Sequence, residues 1–285
     1  MKPNILVDAP HHNAEVPLWH EREGCLYWTD IPQGQVFRHY PHNNKTEQIY
    51  SGEPVGGMTI QTDGSLLLFK TKGTIQRWHK GNITTLIAEI PAERNTRFND
   101  AIADPQGRVF SGTVATPKRS GHLYRLDCDG SLHQILDGLI MPNGMGFTPD
   151  RQQFYFTDSE RRIIYRFKYD RATGKLSNRR IFVVTPTDEG VPDGLTVDAE
   201  GYVWSARWNG GHLFRYNPQG QEVGRIAFPA RKISSVIFGG DNCDRVYVTT
   251  AGGDYRTQEG SGAGAIFQLQ PGVRGVPEFP SRILL

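Results

Sequence analysis

Six short segments dense in apolar residues recur along the chain at intervals of about 40 to 50 residues, a spacing typical of propellers and other arrays. They are CLYWTD (25–30), SLLLFK (65–70), RVFSGT (108–113), QFYFTD (153–158), YVWSAR (202–207) and RVYVTT (245–250). Each is followed, after a polar turn, by a segment that alternates apolar and polar residues: GQVFRHY from Gly34, GTIQRWH from Gly73, GHLYRLD from Gly121, RIIYRFKYD from Arg162, GHLFRYN from Gly211 and GAIFQLQ from Gly264. A period of two puts successive side chains on opposite faces, as strands require. Weaker runs (TEQIYS, ITTLIAE, LHQILDG, NRRIFVV, VGRIAF) follow as outer strands, and a short apolar strand precedes each repeat: EVPLW, GGMTI, NDAIA, NGMGF, DGLTV and SSVIF.

Four strands repeated six times predict an all-β fold, a six-bladed β-propeller with four antiparallel strands per blade. No linker interrupts the series, so residues 1–285 read as a single domain. An all-β sandwich or two smaller barrels would be the alternatives. Ring closure is expected to pair the two ends of the chain, with Asn4 to Asp8 and Arg282 to Leu285 as candidates.

Composition agrees with strands and turns rather than helices, because 32 glycines and 11% aromatics exceed what a helical bundle carries. Lys plus Arg less Asp plus Glu is 32 − 30 = +2, and no basic cluster stands out, so nucleic acid and anionic membranes are not expected partners. A small molecule is. Cys25, Cys128 and Cys243 lie far apart, which points neither to a disulfide framework nor to a metal knuckle. No apolar run has the length of a signal core or a membrane span, and the expectation is a soluble, cytoplasmic monomer or weak homo-oligomer.

The first strand of each propeller blade lines the central channel, so equivalent repeat positions form a ring. The aligned inner strands begin with Glu15, Gly56, Asn99, Asn143, Asp193 and Ser234. Four of these carry a carboxylate or amide oxygen, the ligand type suited to a hard divalent cation. Taken singly, Asn143-Gly144 and Asp193-Gly194 read as turn dipeptides; coincidence at one repeat position favours a shared metal site, with Asn99 as a fourth ligand or beside the metal. Arg97, two residues before Asn99, could hold a polar substrate or a developing oxyanion, or pair with Asp100 or Glu93. Arg38, Arg77, Arg125, Arg166 and Arg215 recur at one position of the third strands and read as exterior structure, as do His122 and His212 as packing residues. No HExxH, GxSxG, P-loop or helix-opening GxGxxG is present.

The segments Ala-Glu-Val-Pro-Leu-Trp, Arg-Phe-Asn-Asp, Met-Pro-Asn-Gly-Met-Gly-Phe, Pro-Asp-Gly-Leu-Thr-Val-Asp-Ala-Glu-Gly and Trp-Asn-Gly-Gly-His-Leu-Phe-Arg-Tyr, with Phe238-Gly239-Gly240 and the closing Gly-Ala-Ile-Phe-Gln-Leu, resemble the regucalcin, gluconolactonase and luciferin-regenerating-enzyme family. That resemblance spans almost the whole chain. It implies a six-bladed propeller with a divalent metal in its channel and, in many members, sugar-lactone hydrolysis. It further implies metal ligation by Glu15, Asn143 and Asp193, proton transfer by Asp193, and substrate contacts from Arg97 and Asn99. Calcium is the first expectation for the metal, with zinc, manganese or magnesium as alternatives. Animal members place a substrate-binding glutamate in the loop where this chain has Val114-Ala115-Thr116-Pro117-Lys118-Arg119-Ser120, which holds no acid.

The expected chemistry is therefore opening of an aldonolactone to the aldonic acid. The cation polarises the lactone carbonyl, and Asp193 moves a proton from water to the ring oxygen. A phosphotriesterase-like or other ester hydrolase is the first rival, weakened because no histidine follows His212. A non-catalytic metal-binding propeller is the second.

Overall fold

The computed structural model describes residues 2–284 and contains six four-stranded antiparallel sheets arranged as blades of a propeller. The chain opens with β1 (Asn4–Val7). Blade 1 follows as β2 (Ala14–His20), β3 (Cys25–Asp30), β4 (Gln35–Tyr40) and β5 (Lys45–Ser51), and blade 2 as β6 (Val55–Ile60), β7 (Leu66–Lys70), β8 (Ile75–His79) and β9 (Asn82–Ile87). Blade 3 is β10 (Phe98–Ala103), β11 (Val109–Thr113), β12 (Gly121–Leu126) and β13 (Leu132–Leu139); blade 4 is β14 (Pro142–Phe147), β15 (Gln153–Asp158), β16 (Ile163–Asp170) and β17 (Lys175–Val184). Blade 5 is β18 (Val191–Val197), β19 (Val203–Trp208), β20 (His212–Tyr216) and β21 (Glu222–Ala227). Blade 6 consists of β22 (Ile233–Gly239), β23 (Arg245–Thr250), β24 (Ile266–Leu269) and, as its outer strand, β1. No helix among the described residues is long and apolar enough to cross a membrane.

The N-terminal half of the closure expectation holds, since β1 pairs antiparallel with β24 and ties the start of the chain to its last blade. The C-terminal half does not. Ser281 pairs instead with Gln61 of blade 2, Arg282 N donates to Gly107 O, and Leu284 N donates to Cys128 O of blade 3. Leu285 lies outside the described residues. The C-terminal segment lies across the far end of the ring because its donors find carbonyls there, while β24 already has a partner. An amide left unpaired at that buried end would be unfavourable.

The core lies between the blades. Leu67, Phe69 and Ile75 of blade 2 interlock with Phe98, Ala101, Val109 and Tyr124 of blade 3, and equivalent clusters fill the other junctions. Each fully buried aromatic or branched side chain contributes about 1.5–3 kcal/mol relative to exposure. Packing of this kind fixes neighbouring inner strands, and through them the positions of residues at the channel mouth. The repeated third-strand arginines serve the periphery: Arg38 pairs with Glu47, Arg77 with Asp63, Arg125 with Asp127 and Arg215 with Asp198.

Candidate metal and substrate site at the channel mouth

All six inner strands lose their regular register beside the predicted channel-mouth position. The breaks fall between Glu15 and Leu18, Val55 and Gly57, Phe98 and Asp100, Pro142 and Met145, Pro192 and Leu195, and Ile233 and Ser235. Such bulges re-aim side chains. In blade 1 the irregularity includes Val16 at φ +50°, a conformation that a β-branched residue adopts only under constraint. Val16 N donates to Glu15 Oε2 at 3.2 Å, so the strained residue also steadies the acid beside it.

The six positions then divide by what their oxygens do. Ser234 Oγ donates to Ala14 O at 2.6 Å and lies 2.8 Å from Thr249 Oγ1, so it serves the blade 6 to blade 1 junction. Gly56 has no side chain, and a Cβ there would meet Phe98 O at 1.9 Å and Arg97 Nη1 at 3.1 Å. The blade 3 backbone at Phe98 fills that place, with the Arg97 guanidinium beside it. Asn99 Oδ1 accepts from Arg97 Nη1 at 2.6 Å, and Asn99 Nδ2 donates to Pro142 O at 2.8 Å. Glu15, Asn143 and Asp193 remain. Asn143 Oδ1 and Asp193 Oδ1 are buried with no hydrogen-bond partner, while Asn143 Nδ2 points to Ser159 Oγ at 3.2 Å. Unmatched buried acceptors are rare in native structures and call for an ion or water.

Asn143-Gly144 and Asp193-Gly194 are not turns. Both pairs lie within strands, β14 and β18. Glycine is required there for space: a Cβ on Gly144 would sit 2.2 Å from Leu195 N, and one on Gly194 would sit 2.1 Å from Ser235 Oγ. The inner strands of blades 4, 5 and 6 can thus approach closely and converge on the channel mouth.

Glu15, Arg97, Asn99, Asn143 and Asp193 line one cavity of about 260 Å3, together with Asn13, Met141, Ser159, Glu160, Val191 and Trp208. All five residues picked from the sequence are therefore brought together. Burial pushes Glu15 well above the usual carboxylate range, and the charges of Asp193 and Asp100 push it further. Asp193 is likewise raised, by burial first and then by Asp100, with Asn143, Arg97 and Arg207 acting in opposition. Arg97 is lowered by its own burial, against the pull of Glu15 and Asp193. Two carboxylates and one guanidinium leave a deficit of positive charge. No group of three His, Cys, Asp or Glu side chains among the described residues is placed to hold a metal ion; the donors at the shared repeat position are two carboxylates and an amide oxygen, a set suited to a hard cation.

Several supporting residues escaped the sequence reading. Asp30, at the end of β3, accepts from His12 N at 2.9 Å and Asn13 N at 3.0 Å, and Asp158, at the end of β15, accepts from Met141 N at 2.9 Å. Burial raises Asp30, but hydrogen bonds from His11, Asn13 and His12 outweigh it and hold the acid below its ordinary range. These two aspartates pin the loops that lead to Glu15 and Asn143. Their signal was the Thr-Asp ending shared by CLYWTD and QFYFTD. On the Arg97 side, fully buried Glu93 takes Tyr124 OH at 2.6 Å, lies 3.0 Å from His122 Nδ1 and pairs with Arg119. The 114–120 loop thus supplies a cation that anchors Glu93, and its Val114 N donates to Arg97 O at 3.1 Å. Arg97 does not pair with Glu93 or Asp100; its Nη1 is held by Asn99 Oδ1 and Phe98 O.

Residues 13–252 match the family described as the SMP-30/gluconolactonase/LRE-like region. The chain belongs to this family. It is 44% identical to the pentonolactonase XacC of Haloferax volcanii over 98% of each chain, and 32% identical to bovine (Bos taurus) regucalcin over 94% of each. The solved structure of a calcium-binding regucalcin from Agrobacterium tumefaciens superposes with a TM-score of 0.91 at 22% identity, covering 100% of this chain and 98% of that one. At that identity the likeness concerns the fold.

Proposed function

We propose that this family member hydrolyses a sugar lactone to the aldonic acid at the channel mouth, with one divalent cation held by Glu15, Asn143 and Asp193. The observation that carries the reading is the pair of buried, unpartnered oxygens, Asn143 Oδ1 and Asp193 Oδ1, in one cavity with Glu15 and Arg97. The likeness to a pentonolactonase over nearly the full chain makes five-carbon aldonolactones the first substrates to assay. Because the ligands come from blades 1, 4 and 5, the propeller acts here as one functional domain.

A bound cation would supply Lewis acidity toward the lactone carbonyl and the positive charge that Glu15 and Asp193 lack; all-oxygen donors favour calcium over softer metals. Asp193 accepts a proton from the attacking water as the bond from water oxygen to carbonyl carbon forms. The ester bond to the ring oxygen breaks, and Asp193 returns the proton to that oxygen. Arg97, held by Asn99, donates to the lactone from the blade 3 side. Met141, Val191 and Trp208 give the cavity an apolar wall on blades 4 and 5.

The test is acid release from pentono- and gluconolactones by metal-stripped protein, with calcium, zinc, manganese or magnesium restored in turn. Turnover that vanishes on stripping and returns with one ion supports the reading. Undiminished turnover by fully stripped protein overturns the cation's part in it, and no lactone turnover with any ion overturns the activity.

A further inference from the structure

Two residues before the six channel-mouth positions stand Asn13, Pro54, Arg97, Met141, Val191 and Lys232. Asn13, Arg97, Met141 and Val191 line the same cavity as the ligand oxygens. This second ring is polar at blades 1 and 3 and apolar at blades 4 and 5, where Trp208 extends the apolar wall. Lys232 is engaged elsewhere, with Nζ 2.8 Å from Glu259 and 5.3 Å from the Trp208 ring centroid. The polar half of the ring is thus Asn13 and Arg97.

Asn13 is held in place by its backbone alone. Its N–H donates to Asp30 Oδ1 at 3.0 Å and its carbonyl accepts from Ile31 N at 3.1 Å. The side-chain amide has no hydrogen bond among the described residues, and Oδ1 is buried without a partner. An idle amide at a cavity wall is unfavourable in the empty protein and becomes favourable when a ligand pairs with it. A hydroxyl both donates and accepts, so it can meet either end of the amide. Methionine and valine across the cavity offer nothing to a hydroxyl but suit the C–H face of a sugar ring.

Resting on the lactonase reading, we propose that Asn13 binds a ring hydroxyl of the lactone and so selects polyhydroxylated lactones over plain ones. The hydroxyl-bearing edge faces Asn13 and Arg97, and the hydrocarbon face lies against Met141, Val191 and Trp208. Asn13 determines specificity and takes no part in bond making.

The experiment compares a pentono-1,4-lactone with γ-butyrolactone, which has the same ring without hydroxyls, for wild type and Asn13→Leu. Binding of the matching 1,4-anhydropentitol, which cannot be hydrolysed, is measured by calorimetry on the same samples. Losing one hydrogen bond is worth about tenfold. The ratio of kcat/KM for the two lactones should fall by about that factor, mainly through KM, and the anhydropentitol should bind about tenfold more weakly. Equal losses on both lactones would overturn the proposal in favour of a structural role, and an unchanged ratio would place the amide out of reach. If Asn13→Leu fails to fold, Asn13→Ser shortens the side chain while keeping it polar, and the same ratio decides. Should wild type hydrolyse neither lactone yet bind the anhydropentitol through Asn13, the lactonase reading falls and the assignment of Asn13 stands.

Discussion

Arg97 Nη1 donates to Asn99 Oδ1 at 2.6 Å, and the same amide donates through Nδ2 to Pro142 O at 2.8 Å. Asn99 therefore ties blade 3 to blade 4 and aims the guanidinium, and its oxygen is not free as Asn143 Oδ1 is. Arg97→Ala should raise KM by about 10- to 100-fold, the range for a hydrogen bond from a charged group, with normal metal content. A loss in kcat instead would place the guanidinium on the developing oxyanion. Asn99→Ala should reproduce part of that effect, and the double variant should lose less than the sum of the two, because the residues act as one unit.

Asp193→Asn separates proton transfer from cation binding. The amide keeps an oxygen toward the cavity but cannot take a proton from water, so kcat should fall by about 10² to 10⁴. Metal content measured in the same sample distinguishes this from loss of the ion. Near-normal turnover in a metal-loaded Asp193→Asn protein would assign the proton transfer to another group.

Much of this site could be read from the chain because the repeat converts sequence position into geometry. Glu15, Asn143 and Asp193 share one repeat position near the start of an inner strand, and six-fold alignment places them at one ring before any coordinate is known. The same alignment could not say which oxygens are already in use. Ser234 is consumed by Ala14 O, Asn99 by Arg97, and Gly56 is small because the Phe98 carbonyl of blade 3 occupies the space a Cβ would need. These are contacts between blades, invisible to a comparison of one repeat with the next. The path of Ser281 to Leu284 was missed for the same reason: its partners, Gln61, Gly107 and Cys128, lie far away in sequence and belong to loops at the far end of the ring.

Burial holds Glu15 and Asp193 above the usual carboxylate range in the metal-free protein, helped by the charges of Asp193 and Asp100 on Glu15 and by that of Asp100 on Asp193. A cation requires both to be ionised, so binding should release protons and its apparent affinity should increase with pH. Calorimetry in two buffers of different ionisation enthalpy gives the proton count; affinity independent of pH would contradict the ligand assignment. The ion should also stabilise the fold by about 2.7 kcal/mol at a hundred times its Kd, and Glu15→Gln should reduce that gain.

Glu93→Gln tests how the Arg97 loop is held. Burial raises Glu93, but Arg119, Tyr124 and His122 outweigh it and keep the carboxyl below its ordinary range. Its stabilising contribution is therefore present above the unfolded carboxylate value, about 4.3, and is lost as pH falls through the lower folded value. Glu93→Gln should lower Tm at pH 7 and narrow its gap from wild type toward pH 3. KM should rise while metal affinity is retained, since Thr96 and Arg97 bond to Val114 rather than to the ligand residues. An unchanged KM would show that the loop keeps its course without the acid.

At the far end of the channel Glu278 gives the opposite sign. Burial and then the charge of Asp100 push it up to about 7. The folded state binds this proton more tightly than the unfolded chain, whose glutamates titrate near about 4.3. The contribution is thus full below about 4.3 and is lost as pH rises toward about 7. His20, Glu21 and Arg22 line the same cavity, so any change must be read against wild type at each pH. Glu278→Gln removes the titration but keeps the size of the side chain. The variant's Tm relative to wild type should therefore be higher at pH 8 than at pH 5, in thermal scans run with chelator so that the channel-mouth cation plays no part. Asp100 is pushed up to about 7 by its own burial and remains in the variant, so some slope should persist. A Tm difference that is the same at both pH values would mean that Glu278 is already ionised and hydrated in the folded protein.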